Sequence, residues 1–448
     1  MNLEKYYPDI IKSISDLVRI PTVYDAASVT PAMPYGKNVH AGYEWLKKRA
    51  LADGFEVLEF DGHALAIRIP GNNTGERIDV VSHLDVVAPG DGWLDDPFSG
   101  AVSDGAIHGR GTQDMKAALM LTYYGLKYIK DQRIPLKREI RVVAGCDEER
   151  TMEDIRYYAK KAGDPVFAFT PDGKFPYTLG EKGALMWCVD GIVDTSIEVL
   201  DGGVQCNVVS PEASALIRYG GSPDEYEKVL KQKGYPGGVS REGDCIRLQV
   251  FGKAAHASRP QDGENATVRL LGLISCVNSD PLAELLYRCF SDYNGRGASL
   301  DYDIEPMGKL TMNLGILRIR DNKVLAEVDC RYPYGITSDI LTDKLQRALS
   351  PLKVTLQYDD RPTLADKNSP WLRILLDTYR EISGDINAEP VISGGVTYGK
   401  AMKNCVAFGP GREGDQVLAH QANERIEIEK VKQLYRIYTT AMIRLAAS

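Results

Sequence analysis

The sequence predicts an α/β domain, with a mixed, largely parallel sheet flanked by helices, interrupted by an inserted α+β domain. Three observations carry this expectation. Helix and strand patterns alternate over roughly the first 180 residues, strand-like runs dominate from about Trp187, and the earlier alternation returns after Ser369. A chain of 448 residues is too long for one compact core, so two domains, or three, are expected. The implied boundaries are 1–182 and 370–448 for a discontinuous first domain and 183–369 for the insertion.

Each element has a local reason. Leu3 to Leu17 and His40 to Asp53 place apolar residues at helical spacing. Arg77 to Ser82 (RIDVVS) reads as a buried strand, Met115 to Lys130 (MKAALMLTYYGLKYIK) as a long helix, and Glu139 to Ala144 as a second strand. Thr151 to Lys161 is helical in pattern and Val166 to Phe169 strand-like. In the insertion, ALMWCVDGIV, ASALIRYG, CIRLQVFG, LTMNLGILRI and KVLAEVDCRY are strand candidates with fewer helices between them. WLRILLDTYREI then resumes the helical style, followed by PVISGG, NCVAFGPG and a final helix from Glu427. No internal repeat or low-complexity segment interrupts this order.

Bulk properties narrow the partners. Fifty-four basic residues stand against 62 acidic ones, a formal net charge of −8, which disfavours nucleic acid or an anionic membrane. The N-terminal MNLEKYYPDIIKSISDLVRIP lacks a basic start before an apolar core, so no signal peptide is expected. No stretch approaches the ~18 apolar residues of a membrane span. The eight cysteines are scattered without a Cys-x-x-Cys pair, which points to a reducing cytoplasm rather than a disulfide framework.

The chemistry concentrates at GCDEER, residues 145–150, where a buried strand ends in Asp147, Glu148 and Glu149. Like charges in a row repel, so either a solvated turn or a nearby cation accounts for them. His83 ends the RIDVVS strand, and Asp85 follows two residues on. That spacing fits a bland turn, or a carboxylate holding one ring nitrogen so that the other points at a metal. Asp114, in GRGTQDMK, fits a helix cap or a ligand equally well. Asp172, in TPDG, follows the next strand. All four positions lie near strand C-termini or helix entries, the edge where open α/β sheets bind ligands.

The ordered set SHLDVV, GDGWLDDPFSG, GRGTQDMK, DEER, TPDG, GKAAHASRP and AHQANE resembles the M20 family of di-zinc metallopeptidases and amidohydrolases over nearly the whole chain. Within that family, GRGTQD, TPDGKFPYTLGEKG, TMNLG, CRYP, GGVTYGKA and the long insertion are most similar to PepV-type dipeptidases, including carnosine-cleaving Xaa-His dipeptidases. The resemblance implies two divalent metal ions, zinc with manganese or cobalt as alternatives. Asp114 would bridge them, with His83 and Asp172 completing one site and Glu149 and His420 the other. Asp85 would orient His83, and Glu148 would be the general base, leaving Asp147 as a neighbour. The insertion would be a lid domain whose His256 supplies a donor to the tetrahedral oxyanion. By itself His256 would more often be a satisfied surface histidine. Asn207, Arg331 and Gly395 would contact substrate, a guanidinium suiting a dipeptide carboxylate, although a lone strand arginine is more often a salt-bridge partner.

The expected reaction is hydrolysis of dipeptides and short peptides by a monomeric enzyme whose own lid supplies the histidine. Two departures from the pattern matter. Met115 stands where PepV-type enzymes place a second aspartate, giving the Asp-Met-Lys of many M20 deacylases, and Val396 replaces a glycine in the glycine-rich run. The alternatives are therefore removal of N-acyl groups from amino acids and, more remotely, a non-catalytic peptide-binding protein of the same fold. GPGREG, residues 409–414, fits a dinucleotide loop formally, but no helix or βαβ unit follows it. Cys146 is expected to be a buried strand cysteine, and His40, His63 and His108 structural or surface residues.

Overall fold

The computed structural model describes residues 2–72, 75–219 and 221–447. The chain forms two compact units, one of Met1–Gly180, Ala365–Ser393 and Thr397–Ser448, the other of Glu181–Leu364 with Gly394–Val396.

In the first unit, a six-stranded sheet runs in the order Glu56–Phe60, Ala64–Ile69, Glu139–Gly145, Arg77–His83, Phe167–Thr170, Cys405–Ala407. The first two pairings are antiparallel and the remaining three parallel. The central strands are almost continuously buried because helices cover them, as parallel strands require. Helix Lys116–Asp131 buries most of its length, including Tyr123 and Tyr124, and packs on helix Ile428–Ala447. The two helices approach closely at Gly125, where a side chain would meet Met442 Sδ at 2.9 Å. The register sets His83 opposite Gly145, so the loops after both strands leave from one edge.

The hairpin of Glu56–Phe60 and Ala64–Ile69 has no counterpart in the sequence reading. Its outer strand carries two glutamates and is at most half-buried, so neither apolar alternation nor an apolar run marks it. The GPGREG segment contains only the short strand Pro410–Gly411, with no helix opening from it.

The second unit is an eight-stranded sheet, antiparallel throughout. Its order is Gly237–Glu242, Cys245–Phe251, Glu212–Arg218, Ile197–Gly202, Thr311–Arg320, Lys323–Tyr332, Gly183–Ile192, Lys353–Asp360. Strand Cys245–Phe251 alternates between buried and more exposed positions, as expected when one face packs on a core and the other does not. Helices Pro223–Lys233, Ala266–Asn278, Pro281–Phe290 and Ser338–Ala348 contribute to that core. Helix Pro223–Lys233 starts with a capping box between Ser222 and Glu225.

Trp187, the tryptophan of this unit, is wholly buried and donates from Nε1 to Thr342 Oγ1 at 2.8 Å. Trp187→Ala is expected to destabilise the unit by ~3–5 kcal/mol through the cavity and the lost hydrogen bond. Chemical denaturation followed by circular dichroism checks this; an unchanged midpoint would show that the core does not depend on the indole.

Candidate active site

The edge at which the parallel strands end gathers six side chains of the first unit. His83 closes strand Arg77–His83 and is wholly buried. Its Nδ1 lies 2.8 Å from the Asp85 carbonyl, which can only accept, so Nδ1 carries a proton, and Nε2 faces the cluster. That Nε2 is 3.1 Å from Asp114 Oδ1, 3.7 Å from Asp172 Oδ2 and 4.0 Å from Glu148 Oε2. On the other side, His420 Nε2 is 3.0 Å from both Asp114 Oδ2 and Glu149 Oε2. Asp114 thus sits between two imidazoles, one on each of its oxygens. His83, Asp114 and Glu149, and likewise His83, Glu148 and Asp172, present ligand atoms within 4.8 Å of one another.

Four carboxylates against two imidazoles leave an excess of negative charge. Burial, reinforced by the charges of Asp172, Glu149 and Asp114, pushes the Glu148 carboxyl well above its ordinary range. Burial and the Asp114 charge likewise raise Glu149 and Asp172. Burial also acts upward on Asp114, but hydrogen bonds from His420 and His83 outweigh it and hold that carboxyl low. The His420 side chain is 52% exposed, and hydrogen bonds to Asp114 and Glu149 raise its pKa to about 11. An oxygen-rich set with two imidazole nitrogens and uncompensated negative charge fits divalent cations such as zinc, manganese or cobalt.

The GCDEER turn is held by two further carboxylates. Asp85 accepts the backbone N–H of Glu148 at 3.2 Å and of Glu149 at 3.1 Å, while lying 3.5 Å from His83 Nδ1. Its carboxylate therefore spans the imidazole and the glutamates. Asp154 Oδ2 accepts from the amides of Cys146 at 2.5 Å and Asp147 at 2.8 Å, and from the Tyr398 hydroxyl. Burial and the nearby Asp85 charge raise the Asp154 pKa to about 7. The Asp147 side chain bonds the Thr151 hydroxyl instead of joining the cluster. Cys146 is buried, and burial pushes its thiol well above the usual range, which does not suit a thiolate ligand. His40 stacks on Tyr43, His63 bonds the Tyr35 hydroxyl at 2.6 Å, and His108 lies 3.3 Å from the Ser103 carbonyl.

The remaining candidates belong to the second unit. His256 and Asn207 lie on paired loop segments, with Val208 bridged to His256 and the Ala257 N–H donating to Asn207 O at 2.9 Å. His256 Nδ1 is 2.8 Å from Ser258 Oγ. Asn313, in the TMNLG strand, clamps the Asn207 loop by donating to Cys206 O at 3.2 Å and Val208 O at 3.0 Å. Gly315 allows that approach, since a side chain there would meet Cys206 O at 2.1 Å. Arg331 is buried and bidentate on Asp329, at 2.9 and 2.8 Å, and its Nη1 donates to Gly394 O at 3.1 Å. Gly395 follows in the same short segment.

The sequence reading missed Asp154, Arg110, Glu424 and Asn313. Arg110, Glu424 and Asn313 lie inside the motifs without an assigned role there, and Asp154 lies in the first turn of the helix expected over Thr151 to Lys161 without being singled out. All eight cysteines are free, and no helix among the described residues is long and apolar enough to cross a membrane.

Comparison with known proteins gives the family and the fold. Residues 80–444 match the model of Peptidase family M20/M25/M40. The Bacillus subtilis (strain 168) protein named "Putative dipeptidase YtjP" is 30% identical over 98% of this chain and 97% of its own length. Human carnosine dipeptidase 1 shares the fold, with a TM-score of 0.61 at 14% identity over 99% of this chain and 97% of that one. Aminoacylhistidine dipeptidase from Vibrio alginolyticus gives 0.55 at 14% identity over 98% and 97%. The chain belongs to peptidase family M20/M25/M40 and is a peptide-hydrolysing enzyme.

Proposed function

We propose that this peptidase is a metal-dependent dipeptidase in which Glu148 is the general base. The observation that carries the reading is the convergence of His83, Asp114, Glu148, Glu149, Asp172 and His420 at one strand edge with carboxylates in excess. Asp114 would be shared between two ions, His83 and Asp172 would complete one site, and Glu149 and His420 the other. Such ions polarise an amide carbonyl and lower the pKa of water from ~15.7 toward ~7.

The protein's own groups would do the rest. Glu148, whose carboxyl is raised by burial, takes a proton from the attacking water and delivers it to the leaving nitrogen. Asp85 fixes the backbone beneath Glu148 and Glu149, and so orients the base and a ligand together. We assign to His256 the donor for the tetrahedral oxyanion and to Asn207, Arg331 and Gly395 the substrate contacts. Arg331 has two of its five N–H donors left after Asp329 and Gly394 take three, which suffices for a substrate carboxylate. The names of relatives support a dipeptide over a longer chain. Asp114-Met115-Lys116 favours the second reading, removal of an N-acyl group from an amino acid. A cytoplasmic monomer that supplies its own His256 completes the proposal.

Glu148→Gln is expected to lower kcat by ~10²–10⁴-fold with metal content unchanged, whereas chelation should abolish turnover until zinc, manganese or cobalt is restored. Retained activity after chelation would remove the metal from the mechanism. A panel of dipeptides against N-acetyl and N-succinyl amino acids should show turnover of the dipeptides; turnover of only the acyl compounds would select the deacylase. Light scattering is expected to give the mass of one chain, and an obligate dimer would refute the monomer.

A further inference from the structure

Two loops that carry candidate metal ligands start from the same short ladder. Strand Ala106–His108 pairs antiparallel with Arg425–Glu427, His108 opposite Arg425. The chain leaves the first strand through 109–114, ending at Asp114, and enters the second through 416–424, which contains His420. Between them lies Glu424, completely buried. Its Oε1 accepts from the backbone N–H of Gly111 at 3.1 Å, Gln113 at 2.7 Å and Asp114 at 3.3 Å. Its Oε2 accepts from Arg110 Nη1 at 2.6 Å. Arg110, also buried, donates to Gln421 O at 3.2 Å and Pro89 O at 3.2 Å and lies over the Trp93 ring. Gln113 adds a reciprocal link, accepting from the Leu418 N–H at 2.9 Å and donating to Arg425 O at 2.9 Å.

We propose that Glu424 is a positioning residue that sets the distance between Asp114 and His420 by gathering the amides of the Asp114 loop onto the loop that bears His420. This rests on the reading of Asp114 and His420 as metal ligands. Cohesion alone does not call for a buried carboxylate, since well-packed apolar side chains often hold two segments together as well as a buried ion pair does. What a carboxylate adds is direction: one oxygen collects three N–H groups, the last of them on Asp114 itself. His420 meanwhile has φ +63°, a left-handed conformation unusual for a residue with a side chain, which persists only where the surroundings hold it. With the amides fixed on one side and His420 on the other, both imidazole-facing oxygens of Asp114 keep their places.

The test titrates zinc into the metal-free full-length protein by calorimetry, alongside thermal unfolding of the same metal-free samples. Wild type should take up two zinc ions. Glu424→Gln should weaken one of the two by ~10–100-fold, the range typical of lost support behind metal ligands, with hydrolysis recovering as zinc is raised. Because that variant leaves Arg110 buried without its carboxylate, Arg110→Met/Glu424→Gln is measured with it and should show the same weakened site. Leu434→Ala, a core change in helix Ile428–Ala447, should lower Tm with both zinc affinities intact. If both Glu424 variants lose Tm like Leu434→Ala but keep two wild-type affinities, Glu424 is structural and the positioning role is overturned. If wild type itself takes up no zinc, the ligand reading beneath the proposal is what fails, and the proposal goes with it.

Discussion

Crowded negative charge at the end of a parallel sheet governs the architecture of the first unit. Glu148, Glu149, Asp114 and Asp172 meet where strands Arg77–His83, Glu139–Gly145 and Phe167–Thr170 end, and two imidazoles are the only cationic side chains within bonding reach of these carboxylates among the described residues. Mutual repulsion would spread such a cluster if the loops were loose. Instead three buried carboxylates outside the cluster each collect neighbouring amides: Asp85 those of 148 and 149, Asp154 those of 146 and 147, and Glu424 those of 111, 113 and 114. Backbone N–H groups are strong donors that must be satisfied when buried, so this pattern both meets that demand and immobilises the loops.

The six-stranded sheet makes the arrangement economical. Its three parallel pairings bring several loops to one edge, while the antiparallel hairpin 56–69 extends the sheet without contributing to the cluster. The second unit answers a different need with a different sheet. Its antiparallel strands carry a loop pair, 207 beside 256, fixed by Asn313 and by the missing side chain of Gly315.

Much of this was legible in the sequence because runs ending in His83, GCDEER and TPDG announce three strands and the candidate ligands at their ends. The α/β and α+β characters were visible in the shift of pattern near Trp187 and its reversal after Ser369. What escaped was long-range polar pairing. Glu424 finds its amides some 310 positions away, and no local rule connects NE in AHQANE to GTQD. Asp154 was not singled out within the helical stretch Thr151 to Lys161, although its oxygen serves the preceding turn. Arg331 on a strand could equally have been a salt-bridge partner, and it does pair with Asp329.

The three residues Gly394–Val396 have a consequence for anyone who would move the second unit between proteins. They group with that unit although the chain on either side of them belongs to the first. The Gly394 carbonyl receives the Nη1 hydrogen of Arg331, and a side chain at Gly394 would lie 3.0 Å from Ser258 Cβ, two residues beyond His256. A fragment cut at 181 and 364 would therefore leave behind part of its own guanidinium pocket. Transplanting this module means carrying a tripeptide from thirty residues further down the chain along with it.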